Sequence, residues 1–362
     1  MKKIIVALML ALTMVVGTAA CGGSKGAEEK TEEKVEEQEE KPETTHIKWA
    51  QGASGNALVT VANEMGYFEE YGLEVEEIPM DSDSGTALIA GQVDICSNNG
   101  TNTPLSAIAS GEDITIFGGH MLTGCMPIIA KKGTTWNGIE DFVGKTIACP
   151  PNQFALTGAL LKKGHDPLTE TEWLQISSHS DRVAAVVSGE ADYGVIGTNQ
   201  NYAISQMDEI EVLAYMSDVT PNYSCCRMYT RTEFLNENPI TFKLLLKALI
   251  RAKVYYEANK EEIVTLTAKK LDATEEYVAA YMLNEHYRVH PDPIKNPVID
   301  AWNVLDQTGF LNENAKNINI EDHINIELYQ EAVEELMADE EIYNADKAAY
   351  DEMLTFFKEN NL

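Results

Sequence analysis

Short apolar runs separated by glycine turns dominate the chain after residue 45. His46 to Gln51 predicts a strand, and Gly52 to Gly55 predicts a turn. Apolar spacing of a helical period follows over residues 56–65, and Leu73 to Ile78 predicts a second strand. Strands that alternate with helices in this way predict an α/β fold.

One arrangement of apolar and polar positions occurs twice. Residues 87–96 and residues 184–195 each combine a helical pattern, a glycine and a short strand, followed by small polar loops at 97–102 and 197–201. A glycine suits the end of each helix because it reaches the left-handed conformation at little cost. The repeat predicts two lobes of similar build; the alternative is a chance likeness between two common units.

The rest of the body continues the pattern and then becomes helical. Residues 138–148 predict a short helix, a glycine turn and a strand. After about Thr230, Asn238 with Pro239 predicts the start of one helix and Asn296 with Pro297 the start of another. A last amphipathic helix is predicted from about residue 343 to residue 362, with another before it.

The N-terminus has the layout of a bacterial export signal. Two lysines precede an apolar run from Ile4 to Val16, which is too short to span a bilayer, and small residues lead to Cys21. We therefore predict a signal peptide over residues 1–20 and lipid attachment at Cys21, although Thr18 stands where such sites usually have leucine. The alternative is a cleaved signal with an ordinary cysteine near the new N-terminus. Residues 21–45 are rich in Glu and Lys and predict a disordered tether.

Composition limits the function of the body. About 320 residues beyond the tether exceed the usual size of one core, which favours two lobes. A formal net charge of −31 excludes nucleic acid as a partner, because phosphate binding needs clustered Lys and Arg. The body contains no apolar run long enough to cross a bilayer, so we expect it to be soluble and without a cofactor.

Five cysteines remain after Cys21, and an odd number cannot pair completely within one chain. We expect buried thiols and no metal. The alternative is that Cys96, Cys149 and Cys225 converge as a soft-metal or thiol-reactive site, although their spacing fits no zinc pattern.

Three segments, in this order, resemble the nitrate/sulfonate/taurine solute-binding family of ABC importers. They are GYFEEYGLEV at residues 66–75, the AGQVD turn at residues 90–94, and residues 139–148. The family includes binders of pyrimidine-type thiamine precursors and is related to an enzyme that makes such a pyrimidine. The resemblance implies an α/β, type II periplasmic-binding fold with lobe 1 at 46–126 and 223–362, lobe 2 at 127–222, a two-segment hinge, and a ligand cleft between the lobes.

Ligands of open α/β sheets lie beyond the carboxyl ends of the strands, and the loops predicted there are small and polar. Several of these loops begin helices, whose N-termini favour anions. Trp49, Phe154 and Tyr223 offer rings that could instead stack on a heterocycle. For each candidate the alternative is a capping, turn-forming or core role. The predicted ligand-binding residues are Gln51, Ser54, Gly55, Ser97, Asn98, Asn99, His120, Asn152, Gln153, Phe154, Thr198, Asn199 and Tyr223.

These features together predict a monomeric, extracytoplasmic, lipid-anchored solute-binding protein that delivers a small organic anion to a membrane permease. The first alternative is a binder of a pyrimidine-type precursor or another small heterocycle. The second is a pyrimidine-synthase-like enzyme, which would need a cofactor-binding lysine, iron ligands and a donor histidine; the predicted cleft loops carry no lysine. The third is an adhesion or scaffold lipoprotein.

Overall fold

A computed structural model describes residues 40–80 and 83–362. The predicted export signal, Cys21 and most of the predicted tether lie outside these residues. Within the described part, no helix is both long enough and apolar enough to cross a membrane.

Two mixed five-stranded sheets form the framework. Sheet 1 has the order β2-β1-β3-β11-β4 and sheet 2 the order β10-β6-β9-β7-β8, while β5 and β12 form a separate pair. The strands are β1 His46–Gln51, β2 Glu74–Pro79, β3 Ile95–Cys96, β4 Ile114–Gly119, β5 Met121–Thr123, β6 Pro127–Lys131, β7 Thr146–Ala148, β8 Glu172–Leu174, β9 Tyr193–Val195, β10 Ile210–Tyr215, β11 Arg227–Arg231 and β12 Arg288–Val289.

Helices connect the strands and make up most of the chain after β11. They are α1 Ala57–Glu64, α2 Tyr67–Glu70, α3 Ser84–Ile89, α4 Asn102–Ala109, α5 Phe154–Lys162, α6 His179–Ser188, α7 Asn201–Ser205, α8 Met216–Val219, α9 Thr232–Glu237, α10 Pro239–Ala258, α11 Lys260–Lys270, α12 Glu275–Met282, α13 Lys295–Gln307, α14 Glu327–Ala338, α15 Glu340–Ala345 and α16 Lys347–Asn361. The predicted α/β class is confirmed by this alternation.

The repeated sequence pattern corresponds to equivalent parts of the two sheets. Helix α3 leads through Gly91 to β3, which lies parallel to β1; α6 leads through Gly189 to β9, which lies parallel to β7. Both glycines have positive φ, 71° and 84°. The repeat therefore corresponds to two similar helix–strand units. A polar loop follows each unit, after β3 and after β9.

The chain crosses between the sheets twice. It leaves sheet 1 after β4, passes through β5, forms the whole of sheet 2 from β6 to β10, and returns to sheet 1 at β11. Strand β11 lies antiparallel between β3 and β4, so the returning strand fills the interior of sheet 1. The predicted lobe boundaries at 126/127 and 222/223 fall in the two crossing segments, and they remain a prediction.

The helix start predicted at Asn238 and Pro239 is confirmed, because α10 begins at Pro239, whereas the start predicted at Asn296 differs from the structure. Asn238 precedes α10, but its side-chain amide donates to the Phe234 carbonyl at 2.8 Å and does not cap the helix. Asn296 lies inside the first turn of α13, which begins at Lys295 after Ile294 at φ 45°. Both prolines still occupy first-turn positions, where the missing N–H costs nothing.

Candidate functional site

A cleft of about 390 Å³ lies between loops of sheet 1 and loops of sheet 2. The loops from sheet 1 follow β1 and β3, and the loops from sheet 2 follow β7 and β9, at the carboxyl ends of these strands. The cleft is lined by Gly52, Ala53, Ser54, Asn98, Asn99, Gly100, Thr101, Asn102, Met121, Met126, Gln153, Phe154, His179, Arg182, Gly197, Thr198, Asn199, Met216, Tyr223, Cys225 and Cys226.

A buried polar network fixes the two cleft loops of sheet 1 to each other. Asn56 caps α1 by accepting from the Leu58 and Val59 amides, and its own amide donates to Ser97 Oγ at 3.0 Å. Trp49 Nε1 donates to the same Ser97 Oγ at 2.9 Å. Ser97 is thus the common acceptor that holds the loop after β3 against the start of α1.

Asn98 and Asn99 line the cleft, but their amide donors point inward. Asn98 Nδ2 donates to the Ala50 carbonyl at 2.6 Å, and Asn99 Nδ2 donates to Ser84 Oγ at 2.8 Å. Gly52 makes room for the first of these contacts, because a Cβ at this position would lie 2.8 Å from Asn98 Cβ. The loop is therefore preorganised before any ligand arrives.

On the sheet 2 side, the first turns of α6 supply a charged side chain. Ser178 caps the helix by accepting from the Asp181 amide at 3.3 Å. Arg182, 4% exposed, donates to the carbonyls of Ile176 at 2.7 Å and Val195 at 2.8 Å. The guanidinium is thus held rigidly at the cleft wall by backbone oxygens.

Among the described residues that line the cleft, the charged side chain is a cation, Arg182, although the protein is strongly acidic. Neither aspartate nor glutamate is among the described residues that line it, although the chain carries 58 acidic residues. Burial lowers the pKa of Arg182, but an arginine remains protonated at neutral pH. Burial, followed by repulsion from Arg182, lowers the pKa of His179 to about 4, so His179 is neutral. Because the Gly197 amide donates to His179 Nδ1, Nε2 of that ring carries the proton.

The crossing segments form the floor of the cleft. Tyr223 holds the segment around Gly124, by which the chain passes to sheet 2. The Tyr223 hydroxyl accepts from the Gly124 amide at 3.0 Å and donates to the Gly124 carbonyl at 2.9 Å. The amides of Cys225 and Cys226 donate to the Leu122 and Met121 carbonyls. The two crossings therefore form one hydrogen-bonded unit beneath the cleft.

The structure brings together eight of the residues predicted to bind ligand and places five elsewhere. Those lining the cleft are Ser54, Asn98, Asn99, Gln153, Phe154, Thr198, Asn199 and Tyr223. Those not among its lining residues are Gln51, Gly55, Ser97, His120 and Asn152. Gln51 donates to Glu77, Gly55 closes the turn after β1, and Trp49 is fully buried in the core beside Ser97.

His120 is fully buried behind the loop that carries Ser97. Its Nδ1 lies 3.2 Å from the Ser97 carbonyl, which can only accept, so Nδ1 carries the proton. Nε2 has no hydrogen-bond partner among the described residues. The pKa of His120 is lowered to about 4, chiefly by burial; the hydrogen bond to Ser97 opposes this effect, and nearby Arg227 assists it. His120 supports the loop from below as a neutral ring.

Arg182, His179 and three methionines were missing from the predicted site. The sequence pattern placed the helix at residue 184, whereas α6 begins at His179. The sequence does carry a signal for this helix start, a strand at 172–174 followed by Ser178 as an N-cap. Because loops after strands form the cleft, this signal would have placed the first turn of α6 there. Met121, Met126 and Met216 gave no such signal, because methionine is usually a core residue.

The cysteines of the described residues do not converge on one site. All five after Cys21 are free and buried, as expected. Cys96 and Cys149 are not among the cleft-lining residues, so the suggested convergence with Cys225 is wrong; Cys225 instead lies beside Cys226. Among the described residues, no group of three or more His, Cys, Asp or Glu side chains could hold a metal ion.

Comparison with known proteins places these features in context. The family model described as "NMT1/THI5 like" matches residues 55–263, more than half of the chain. No curated protein sequence matches the chain.

Solved structures match over most of the chain at low identity. The aliphatic sulphonate binding protein SsuA from Escherichia coli is 16% identical, with a TM-score of 0.65 over 78% of this chain and 92% of that protein. The nitrate-binding protein NrtA from Synechocystis PCC 6803 is 16% identical, with a TM-score of 0.66 over 84% and 92%. The desulfurization enzyme DSZB is 13% identical, with a TM-score of 0.56 over 81% and 99%. These similarities confirm the predicted two-lobed, type II periplasmic-binding fold.

Proposed function

The chain belongs to the NMT1/THI5-like family, and from this premise we propose that it is an extracytoplasmic solute-binding protein that captures a small organic anion for an ABC-type importer. The observation that carries the proposal is the cleft-facing Arg182, which is held by backbone carbonyls in a wall whose described residues include no carboxylate. The folds it resembles include proteins that bind sulphonate and nitrate.

The arrangement around Arg182 suits an anion for electrostatic and geometric reasons. Helices α4, α5 and α6 each begin with residues that line the cleft, so the positive ends of their dipoles face it. A charged donor that is already desolvated and fixed loses little further entropy when it binds. The proposed ligand places its sulfonate or carboxylate group near Arg182 and its remaining atoms toward Phe154.

A heterocycle is the second candidate ligand, and Phe154 and Tyr223 favour it. Both rings line the cleft, and Phe154 is partly exposed there. Tyr223 has its hydroxyl occupied by Gly124, so only its ring is available to stack. A pyrimidine-type thiamine precursor would use these rings together with the side-chain oxygens of Asn98 and Asn99.

We propose that the protein binds its ligand and catalyses no reaction. Lysine is absent from the described cleft-lining residues, and His179 is the histidine among them. A synthase that forms a Schiff base with its cofactor would need a lysine there. The similarity to DSZB is a similarity of fold. The absence of catalysis is tested by incubating the protein with its ligand, denaturing the protein, and asking whether the ligand is recovered chemically unchanged.

The decisive experiment measures thermal unfolding of residues 40–362 against sulfonates, nitrate, carboxylates and pyrimidines. A ligand at one hundred times its dissociation constant stabilises the folded state by about 2.7 kcal/mol. Arg182→Gln should weaken anion binding by about 10- to 100-fold, since a hydrogen bond to a charged group contributes about 1.5–3 kcal/mol. A pyrimidine that binds Arg182→Gln as tightly as the original protein would select the second candidate.

Arg231 offers a matched control. Its guanidinium also donates to two backbone carbonyls, those of Leu88 at 2.7 Å and Val93 at 2.9 Å, but it does not line the cleft. Arg231→Gln should lower the free energy of unfolding and leave anion affinity unchanged. Equal loss of affinity in both variants would mean that Arg182 acts through folding alone.

Transport and anchoring complete the proposal. Export followed by lipid attachment at Cys21 would keep the binding body beside a membrane permease, and closure would occur at the crossing segments near Gly124 and Tyr223. Mass spectrometry of the mature N-terminus tests the lipid, because Cys21→Ala should release an unmodified protein. Uptake of labelled ligand in cells that carry Arg182→Gln tests delivery.

A further inference from the structure

Five sulfur-containing side chains line the cleft, and anion capture uses none of them. They are Cys225 and Cys226, on the returning crossing segment, and Met121, Met126 and Met216. Thiols and thioethers are poor partners for a sulfonate but are the ligands that soft cations prefer. Met121, Met216, Cys225 and Cys226 are buried members of the core that also line the cleft, so their sulfurs are shielded from bulk water where a soft cation could reach them.

The two cysteine sulfurs are placed to act together. Cys225 Sγ and Cys226 Sγ are 3.7 Å apart and close enough for one ion to contact both. A Cβ on Gly124 would lie 3.1 Å from Cys225 Sγ and 3.5 Å from Met121 Sδ, so a thioether faces the same corner. Gly124 keeps this corner open because it has no side chain.

Both thiols are free and buried, and both line the cleft. Cys149 is also a free and buried thiol, but it is not among the cleft-lining residues.

We propose that Cys225, Cys226 and Met121 form a binding site for a soft monovalent cation, Cu(I), at the floor of the cleft. Each thiol that coordinates the ion releases its proton to solvent, and Met121 supplies a neutral third donor. The site is distinct from the Arg182 anion site, so either can exist without the other. The protein would then carry a soft metal ion, alone or together with an anion.

The test is anaerobic titration of residues 40–362 with Cu(I), kept reduced by ascorbate, against a chromophoric Cu(I) chelator. The expected result is one tightly held equivalent with ultraviolet sulfur-to-copper absorption and a sulfur-only copper shell by X-ray absorption. Cys225→Ser with Cys226→Ser should abolish this equivalent. Met121→Leu should shift the competition curve to weaker binding while both thiols remain, and thermal unfolding shows whether each variant is folded.

Cys149→Ser is the matched control, because Cys149 is a buried thiol outside the cleft. It should bind Cu(I) like the original protein. The proposal is overturned if the original protein fails to compete with the chelator, or if the folded double-serine variant competes as well as it does. Arg182→Gln separates this proposal from the previous one, since it should lose the anion and keep the copper.

Discussion

Lowering the pH from 8 to 5 should destabilise the protein through His120, which is fully buried with Nε2 unpartnered among the described residues. Its pKa is about 4 in the folded state, against an ordinary value of 6.5. Because the folded pKa is lowered, the unfolded chain takes up the proton first. The stability that the neutral ring contributes is present above pH 6.5 and is lost as the pH falls toward 4.

The magnitude follows from proton linkage. Each pH unit between the unfolded and folded pKa values costs about 1.4 kcal/mol, so the interval from 6.5 to 5 costs about 2 kcal/mol. Protonating Nε2 in the folded state would bury an unpaired N–H near the Arg227 guanidinium. This cost keeps the pKa of His120 below its ordinary value. The full loss, approached only below pH 4, is about 3.4 kcal/mol.

Other groups titrate in the same range, so the assay must isolate His120. Burial also lowers the pKa values of His179 and His290, whose contributions have the same sign. Burial raises the pKa of Asp292 to about 6. Protonation of this carboxyl therefore increases the stability of the folded protein as the pH falls through this value. A difference between the original protein and His120→Asn removes these shared contributions.

The assay is urea denaturation of both proteins at pH 8 and pH 5. His120→Asn keeps an amide donor near Ser97 but has no group that titrates in this range, so it should lose about 2 kcal/mol less than the original protein over the interval. The variant will be less stable at pH 8 because a smaller side chain leaves a cavity. Equal pH-dependent losses in the two proteins would refute the assignment of a buried, neutral His120.

Three further predictions concern the cleft. Ser97→Ala should lower the free energy of unfolding by about 1–3 kcal/mol, because two buried donors lose their acceptor, while the folded fraction keeps its ligand affinity in calorimetry. Gly52→Ala should weaken ligand binding, because the new Cβ displaces Asn98. Gly85→Ala is the control, because its Cβ meets only ordinary contacts from 3.5 Å. Equal ligand affinities of the two variants would contradict the argument. Phe154→Ala should weaken a ring-bearing ligand more than a small sulfonate, and an equal effect on both would exclude stacking.

Much of the fold was predictable because its signals are local. The strand from His46 to Gln51 has the predicted bounds, and the glycine-ended helices α3 and α6 were visible as a repeat. The start of α10 at Pro239 is as predicted, but the Asn238 side chain does not cap the helix, because a capping residue type does not determine which group its side chain meets. That choice depends on neighbours such as Phe234, which the pattern cannot place.

The site was harder to predict because two kinds of residue occupy the same loops. Ser97 and Asn98 are adjacent and chemically alike, yet Ser97 is fully buried and Asn98 lines the cleft. Their roles are separated by contacts from Trp49 and Ala50, which lie almost fifty residues away. Arg182 was overlooked for the opposite reason, since a lone arginine on a helix is usually solvent-exposed.

The position of β11 has a consequence for synthesis on the ribosome. Strands β3 and β4 are joined in sheet 1 through β11, which emerges only after the whole of sheet 2 has been made. Until residue 231 leaves the exit tunnel, the nascent N-terminal strands have unpaired inner edges, which are sites for aggregation. The segment from β6 to β10 is continuous in sequence, so we expect it to fold first while the earlier strands depend on chaperones.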